Sequence, residues 1–334
     1  MKKIILFLSC IFLLSGCKTT RETSFIEEFN KKIDSAKNYQ ITGVLEVFRN
    51  EEKFSYDIIS TYQEKNLFNV RLINKSNNHE QIILKDNESV YVLTPSLNKS
   101  FKFQSEWPYN NSQIYLLQPI LKDIKNDKNR IFEKSKTGYI VTSKVNYSSE
   151  KTFVKQKIYF DLNKNMTKVE VVDGKDNVKM CLKITSIEYN RNLDKNLFDI
   201  NKYYVDNKNQ DLETNIKEND VTFGLHEIIY PMYVPKDTYL SSQDIIEIED
   251  GERVILTFSG DSQFILFQET LSQKQTENYV YGDPYLILDT IGSITDTSVT
   301  WISNGIEYSV ISDTLSLDEL ISVAQSISVT PITK

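Results

Sequence analysis

Apolar and polar side chains alternate along Val178-Lys179-Met180-Cys181-Leu182-Lys183-Ile184-Thr185. Val178, Met180, Leu182 and Ile184 fall on one side, Lys179, Lys183 and Thr185 on the other. Only an extended strand places every second residue on one face, so this period commits the segment to a half-buried strand. The same period recurs at 41–48, then in Phe54, Tyr56 and Ile58 and in Phe68, Val70 and Leu72. Further strands are expected at 80–85, 89–94 and 99–104. Turn-forming pairs separate them: Arg49-Asn50, Asn77-Asn78, Asp86-Asn87 and Leu97-Asn98. Six strands in succession joined by short turns make an antiparallel meander. A second series is expected at 130–134, 138–145, 152–160, 166–172 and 178–189, with Asp173-Gly174 in the turn before the last.

Helical periodicity interrupts the strands twice. Ser24-Phe25-Ile26-Glu27 is a capping-box pattern, and Ile26, Phe29, Ile33 and Ala36 recur at three- and four-residue steps, which predicts an amphipathic helix over 25–37. After Trp107-Pro108, a stripe of Ile114, Leu117, Leu121 and Ile124 predicts a helix near 110–126. From 201 to 221 the chain turns polar, as an interdomain linker does. Beyond it, Gly260-Asp261 joins expected strands at 252–258 and 262–268. Asn304-Gly305 joins 298–303 to 306–311, a strong hairpin signal. Ser316-Leu317-Asp318-Glu319 is a second capping box, opening a closing helix through Leu320, Ala324 and Ile327. The fold class is therefore α+β. The expected plan is a large domain over 24–200, a linker over 201–221 and a smaller α+β domain over 222–334, without internal repeats. A chain of 334 residues has room for two domains at about 150 residues each.

The start of the chain carries an address. Lys2 and Lys3 precede an apolar run from Ile4 to Leu14. The run is shorter than the ~20 residues a bilayer span needs and fits a secretory signal. It ends in Leu14-Ser15-Gly16-Cys17, a lipobox pattern in which small residues admit the peptidase and the cysteine thiol accepts diacylglycerol. The expectation is a signal peptide over 1–16, lipid such as palmitate on Cys17, a polar tether over 17–23, and residence on the outer face of the cytoplasmic membrane. Cys10 leaves with the signal and Cys17 is lipidated, so of the three cysteines Cys181 stands alone and no internal disulfide is expected. Its apolar neighbours in the alternating strand give Cys181 a structural role.

Chemistry is sparse. A net charge of −7 argues against a nucleic-acid binder, which needs a basic face for phosphates. His226-Glu227 begins like H-E-x-x-H, but Tyr230 stands where the second zinc ligand would be. Ser259-Gly260-Asp261-Ser262 is no nucleophile elbow, since its context is a hairpin turn. Acidic pairs such as Glu27-Glu28 and Glu51-Glu52 lie on expected exposed faces. No catalytic residue, metal or cofactor is expected. The 19 Tyr and 17 Phe either fill a core or line a cavity for an acyl chain, and the sequence leaves both open.

A capped helix, six meandering strands, a helix near 110–126 and five more strands resemble the LolA-like fold, a curved antiparallel half-barrel closed by helices around an apolar cavity. Two stretches carry the likeness. Residues 83–99, from Ile83-Leu84-Lys85-Asp86-Asn87 through Val90-Tyr91-Val92-Leu93 to Asn98-Lys99, look like the family's paired strands. Residues 159–169, Tyr159-Phe160-Asp161-Leu162-Asn163-Lys164 onward, look like its later hairpin, with Val172-Asp173-Gly174-Lys175 and Leu197-Phe198-Asp199 following in family order. Together with Trp301-Ile302-Ser303-Asn304-Gly305 and Leu315-Ser316-Leu317-Asp318-Glu319, the chain resembles the YdcC-type sporulation lipoproteins of Firmicutes. The N-terminal half is also similar to the germination lipoprotein GerS, and the two-domain plan resembles the periplasmic regulator RseB without a residue-level match. The resemblance implies a non-enzymatic, membrane-anchored protein that binds a cell-envelope protein partner, such as a wall-modifying amidase, in sporulation, germination or cell-wall processes. Its alternative is a protein that binds or senses a lipid or other apolar ligand in the half-barrel cavity. A soluble shuttle role does not carry over, because Cys17 ties the chain down.

Overall fold

The computed structural model describes residues 16–49, 52–147, 149–204, 228–249, 251–271 and 276–327. The expected signal peptide lies outside the described residues apart from Gly16, and so do 205–221 of the expected linker. Cys17 is placed by its backbone only.

Two sheets account for most of the chain. The first meander is β1 (Asn38–Arg49), β2 (Glu52–Gln63), β3 (Leu67–Asn74), β4 (Glu80–Lys85), β5 (Val90–Thr94) and β6 (Lys99–Phe103). The second is β7 (Ile131–Lys134), β8 (Tyr139–Lys144), β9 (Lys155–Phe160), β10 (Met166–Val172) and β11 (Val178–Tyr189). They join where β1 pairs antiparallel with β11, the two long central strands, from Tyr39 opposite Tyr189 to Val47 opposite Met180. On β1 the alternation is complete: Tyr39, Ile41, Gly43, Leu45 and Val47 are buried and the residues between them are not. The β1–β11 register slips once between Thr42 and Gly43. A Cβ on Gly43 would stand 2.3 Å from the Lys183 carbonyl oxygen, so only glycine permits the strands this approach.

α1 (Gly16–Asp34) lies over the β7–β9 end of this sheet. Its Phe25 ring meets Phe132, Tyr139 and Phe160 at 5.0–5.2 Å between centroids, and Ile26, Phe29 and Ile33 are buried beside it, as their spacing predicts. The helix does not begin at the Ser24 capping box. It continues back to Gly16 through the expected tether, and Glu22, two residues before Ser24, is held to Arg130 at 2.8 Å. α2 (Leu117–Asn126) is shorter than the expected 110–126 helix. Residues 110–112 spend their bonds outside a helical ladder: Asn110 reaches Asp283, the Ser112 amide donates to the Asn146 carbonyl at 2.8 Å, and the Ser112 hydroxyl donates to the Asp123 side chain at 2.6 Å. Ile114 is nevertheless fully buried, so the stripe is read correctly while its first part lies in a loop.

The second sheet has seven strands in the order β12 (Thr238–Ile248), β13 (Gly251–Gly260), β14 (Phe264–Thr270), β19 (Ile306–Ile311), β18 (Ser298–Ser303), β17 (Thr290–Ile294) and β16 (Asp283–Ile287). α3 (Leu317–Gln325) packs Leu320, Ile321, Val323 and Ala324 against it. Its expected capping box is realised: the Ser316 hydroxyl accepts from the Glu319 amide, and the Glu319 carboxylate accepts from the Ser316 amide at 2.9 Å. Asn304 and Gly305 both take positive φ, 50° and 77°, as a two-residue hairpin turn between β18 and β19 requires.

One strand departs from the expected plan. β15 (Thr276–Val280) comes from the C-terminal half of the chain but pairs parallel with β6, extending the first sheet to twelve strands. Both sheets are open, with β15 and β7 ending one and β12 and β16 the other. The start of the expected linker is also packed. Tyr203 and Tyr204, with Phe198 and Ile200, cover Ile82, Leu84, Tyr91 and Leu93 on the outer face of β4 and β5.

Candidate functional site

The β16–β17 hairpin of the second sheet is set into the first, and four polar contacts hold it there. At its start, the Asp283 carboxylate accepts from the Asn110 amide at 2.7 and 2.8 Å and from the Ser105 hydroxyl. Next, the Tyr285 hydroxyl accepts from Arg49 at 2.8 Å and donates to Glu150, while Arg49 and Glu150 pair at 2.7 Å. At the turn, the Tyr56 hydroxyl donates to the Leu288 carbonyl at 2.9 Å. On β17, the Gln81 side chain accepts from the Ile291 amide at 2.6 Å and donates to the Ile291 carbonyl at 3.2 Å, so it pairs with the hairpin backbone as another strand would.

The Gln81 contacts are buried and the other three half-buried, which gives them weight. The Arg49 and Glu150 side chains are 10% and 16% exposed. Burial opposes the charge on Arg49, but Tyr285 and Glu150 outweigh it and raise the guanidinium above its ordinary pKa. Burial likewise pushes the Tyr285 phenol up, so it stays a neutral donor. A buried pair of this kind is costly to break, because the survivor is left as an uncompensated charge.

Beneath the hairpin lies a cavity of about 80 Å³. Leu45, Leu72, Ile83 and Met180 form its floor, Tyr115 and Phe153 its wall, and Leu286 and Ile291 its roof. That is about half of the roughly 150 Å³ that an engineered apolar cavity offers benzene. Leu286 and Ile291 belong to the same apolar core as the strands below them. The aromatic residues of the first sheet thus divide: most fill the core, and a few, with Tyr147 and its buried hydroxyl, border this space.

The residues singled out in the sequence lie elsewhere. Cys181 is buried on the face opposite Leu45 and Met180, opposite Glu46 and Glu170 in the neighbouring strands; burial, then Glu170, raises its thiol pKa, which leaves it a poor nucleophile. His226 and Glu227 lie outside the described residues. His79 sits near Asp289 at the hairpin turn, and burial lowers its pKa. Among the described residues no group of three or more His, Cys, Asp or Glu side chains is arranged to hold a metal, and no helix is long and apolar enough to cross a membrane. Sequence reasoning missed Arg49, Gln81, Glu150, Asp283 and Tyr285. Each acts only through a partner more than 100 residues away, and no local pattern marks such a pairing.

No family model matches the chain. Among solved structures, the LolA superfamily protein from Nitrosomonas europaea aligns over 54% of this chain and 98% of its own, at 10% identity and a TM-score of 0.32. A chain of the complex of the CwlD amidase from Clostridioides difficile with the GerS lipoprotein aligns over 49% and 92%, at 20% identity and a TM-score of 0.32. Likenesses this distant carry no argument about the present chain. The sporulation protein YdcC of Bacillus subtilis (strain 168) is different in kind: it is 31% identical over 332 residues, 97% of this chain and 96% of its own length. With identity sustained from end to end of both proteins, the chain belongs to the family of the sporulation protein YdcC.

Proposed function

We propose that this chain is a non-enzymatic lipoprotein of the cell envelope that acts in sporulation by binding a protein partner. Family membership supports the process. The observation that carries the mode of action is the docked hairpin. The space in which a half-barrel of the LolA type would hold an apolar ligand is roofed by the chain's own Leu286 and Ile291 and reduced to about 80 Å³. In this reading residues 24–200 form that half-barrel, 201–221 the linker and 222–334 the smaller domain.

The lipobox supports an anchor at Cys17 on the outer face of the cytoplasmic membrane, after removal of 1–16. Among the described side chains, the first ion pair from α1 to the sheet side is Glu22 with Arg130. The intervening residues span about 8 Å if helical and about 17 Å if extended, so the first sheet would sit against the membrane surface. Apolar-ligand binding is the second reading, favoured by the lining of the cavity itself, and it requires the hairpin to lift.

One strain series tests both. Deleting the gene should lower the yield of heat-resistant spores, and the wild-type chain should restore it from the membrane fraction. Cys17→Ala should be released and fail to restore. Full rescue by Cys17→Ala would remove the anchor from the function. Organic extraction of the purified chain should yield no stoichiometric lipid beyond that on Cys17; a second lipid per chain would replace the partner reading with the ligand reading.

A further inference from the structure

We propose that the free edge of β12 is a docking site for an extended segment of a protein partner that alternates apolar with basic side chains. The proposal rests on the partner-binding reading above and names the surface that would serve it. β12 is the end strand of the seven-stranded sheet and pairs only with β13, from Thr238 opposite Gly260 to Ile248 opposite Gly251. Among the described residues its outer edge therefore presents a row of backbone N–H and C=O groups with no strand beside them, which is a template for another strand.

Three features separate β12 from an ordinary protected edge. First, residues 239–247 are all exposed, on both faces, yet they include Tyr239, Leu240, Ile245 and Ile246 at 40–63% exposure. Register with β13 puts Leu240 and Ile245 on the side of the buried Phe258 and Val254, and Tyr239 and Ile246 on the opposite side, so each face offers an apolar pair. Second, native edges are blunted by charged side chains, lysine above all, by proline, by bulges or by shortness, and of these β12 has acidic charge alone over its regular part. No lysine or proline occurs in β12. Its single register shift lies between Leu240 and Ser242 and leaves Ser242–Ile248 regular, a full strand's length. Third, Asp244 and Glu247 lie on this strand with Glu249 and Glu252 just beyond its end, and no Lys or Arg occurs between Asp237 and Glu252. That charge selects a basic partner and repels an anionic membrane surface.

Nearby, the Tyr230 hydroxyl donates to Gln243 at 2.5 Å, which sets a further exposed aromatic ring against this strand. Pairing with a second copy of the chain is disfavoured, since two antiparallel β12 edges would gather Asp244 and Glu247 of both copies on one short ladder.

The test uses the lipidated full chain in detergent and three fluorescent decapeptides, read by anisotropy. One alternates valine and lysine, one alternates valine and glutamate, and one is the valine–lysine peptide N-methylated at every second residue, which keeps its charge but loses ladder donors. The first should bind saturably; the other two should bind at least about tenfold more weakly. Ile245→Lys and the double change Asp244→Lys/Glu247→Lys lie on the surface and should each weaken binding of the first peptide at least about tenfold. No saturable binding below ~1 mM, or binding that survives N-methylation and both β12 changes, overturns the proposal. So does a concentration-dependent dimer in sedimentation that Ile245→Lys abolishes, because the edge is then taken by a second copy. In the strain series, full spore yield with Ile245→Lys would overturn the β12 assignment while leaving partner binding standing. Failure of the wild-type chain to restore spores would remove the reading on which it rests.

Discussion

Tyr39 shows how much one side chain can join. It is fully buried on β1; its hydroxyl accepts from the Leu117 amide at 3.0 Å and donates to Gln118 at 2.5 Å, so it caps the first turn of α2. Burial raises the phenol pKa well above its ordinary value, so the group stays a donor. Tyr39→Phe should keep the packing but strand the buried Leu117 amide and remove a bond to the half-buried Gln118, costing about 1–3 kcal/mol in urea unfolding. A loss within error would mean the helix end finds another partner. Arg49 makes a comparable joint between the sheets. Arg49→Met leaves the Glu150 carboxylate buried beside Tyr285 and should cost about 3–5 kcal/mol. Adding Glu150→Gln should recover part of that loss, because the second change removes the orphaned charge; additive losses in the double-mutant cycle would show that the pair is not coupled. Nothing local in the sequence marks these residues. Arg49-Asn50 reads as a turn, and the role of Arg49 exists only once Tyr285 arrives.

Among the elements, the β14–β19 pair carries a built-in pH dependence. Glu269 and Glu307 stand directly opposite, with Arg253 held by Glu269. Burial, then repulsion from Glu269, raises the Glu307 pKa to about 7 from an ordinary 4.5. The folded state therefore holds a proton that the unfolded state gives up first. The stability this confers is complete below about pH 4.5 and is lost as pH rises to about 7, up to about 3 kcal/mol. Glu307→Gln should flatten that decline; an unchanged pH profile of unfolding would place the proton elsewhere. Elements with one buried face were legible in the sequence. The expected bounds of the strands at 178–189, 298–303 and 306–311 match β11, β18 and β19, because alternation reports a sheet with a wet side and a dry side, while 80–85 matches β4, buried on both faces, through its short apolar run between turn residues. The missed strands lack that contrast. β12 is exposed on both faces and β17 is buried on both, so neither alternates. β15 opens on the polar Thr276-Glu277-Asn278 and β16 carries Pro284, which speaks against a strand. The Ser24 box looked like a helix start, yet the helix runs past it with Glu22 held to Arg130, while the same pattern at Ser316 does cap α3.

At the scale of the whole molecule, the polar stretch over 201–221 suggests two domains that melt apart, and the contacts argue the reverse. β15 leaves the C-terminal half to pair with β6, where Lys102 also meets Glu277 at 3.6 Å. The β16–β17 hairpin places Ile291 in the core of the first sheet and Asp283, Tyr285, Leu288 and Ile291 in its hydrogen bonds. Unfolding either sheet alone would strip β6 of its neighbour, expose Leu286 and Ile291, and leave Gln81 buried without the backbone it pairs. Each of those costs falls on the sheet that remains, so the two should lose structure together. Calorimetry on the intact chain should give one transition whose van't Hoff and calorimetric enthalpies agree. Gln81→Ala with Tyr56→Phe removes the bonds to Ile291 and Leu288 while sparing both sheets' own ladders, and should lower the transition and split it in two. A single transition that persists in the double variant would place the coupling in the Asp283 and Tyr285 contacts and the β15–β6 pair instead; two transitions already present in the unmodified chain would mean that the hairpin rests on the first sheet without coupling to it, and the roof over the cavity would then be free to open without unfolding anything else.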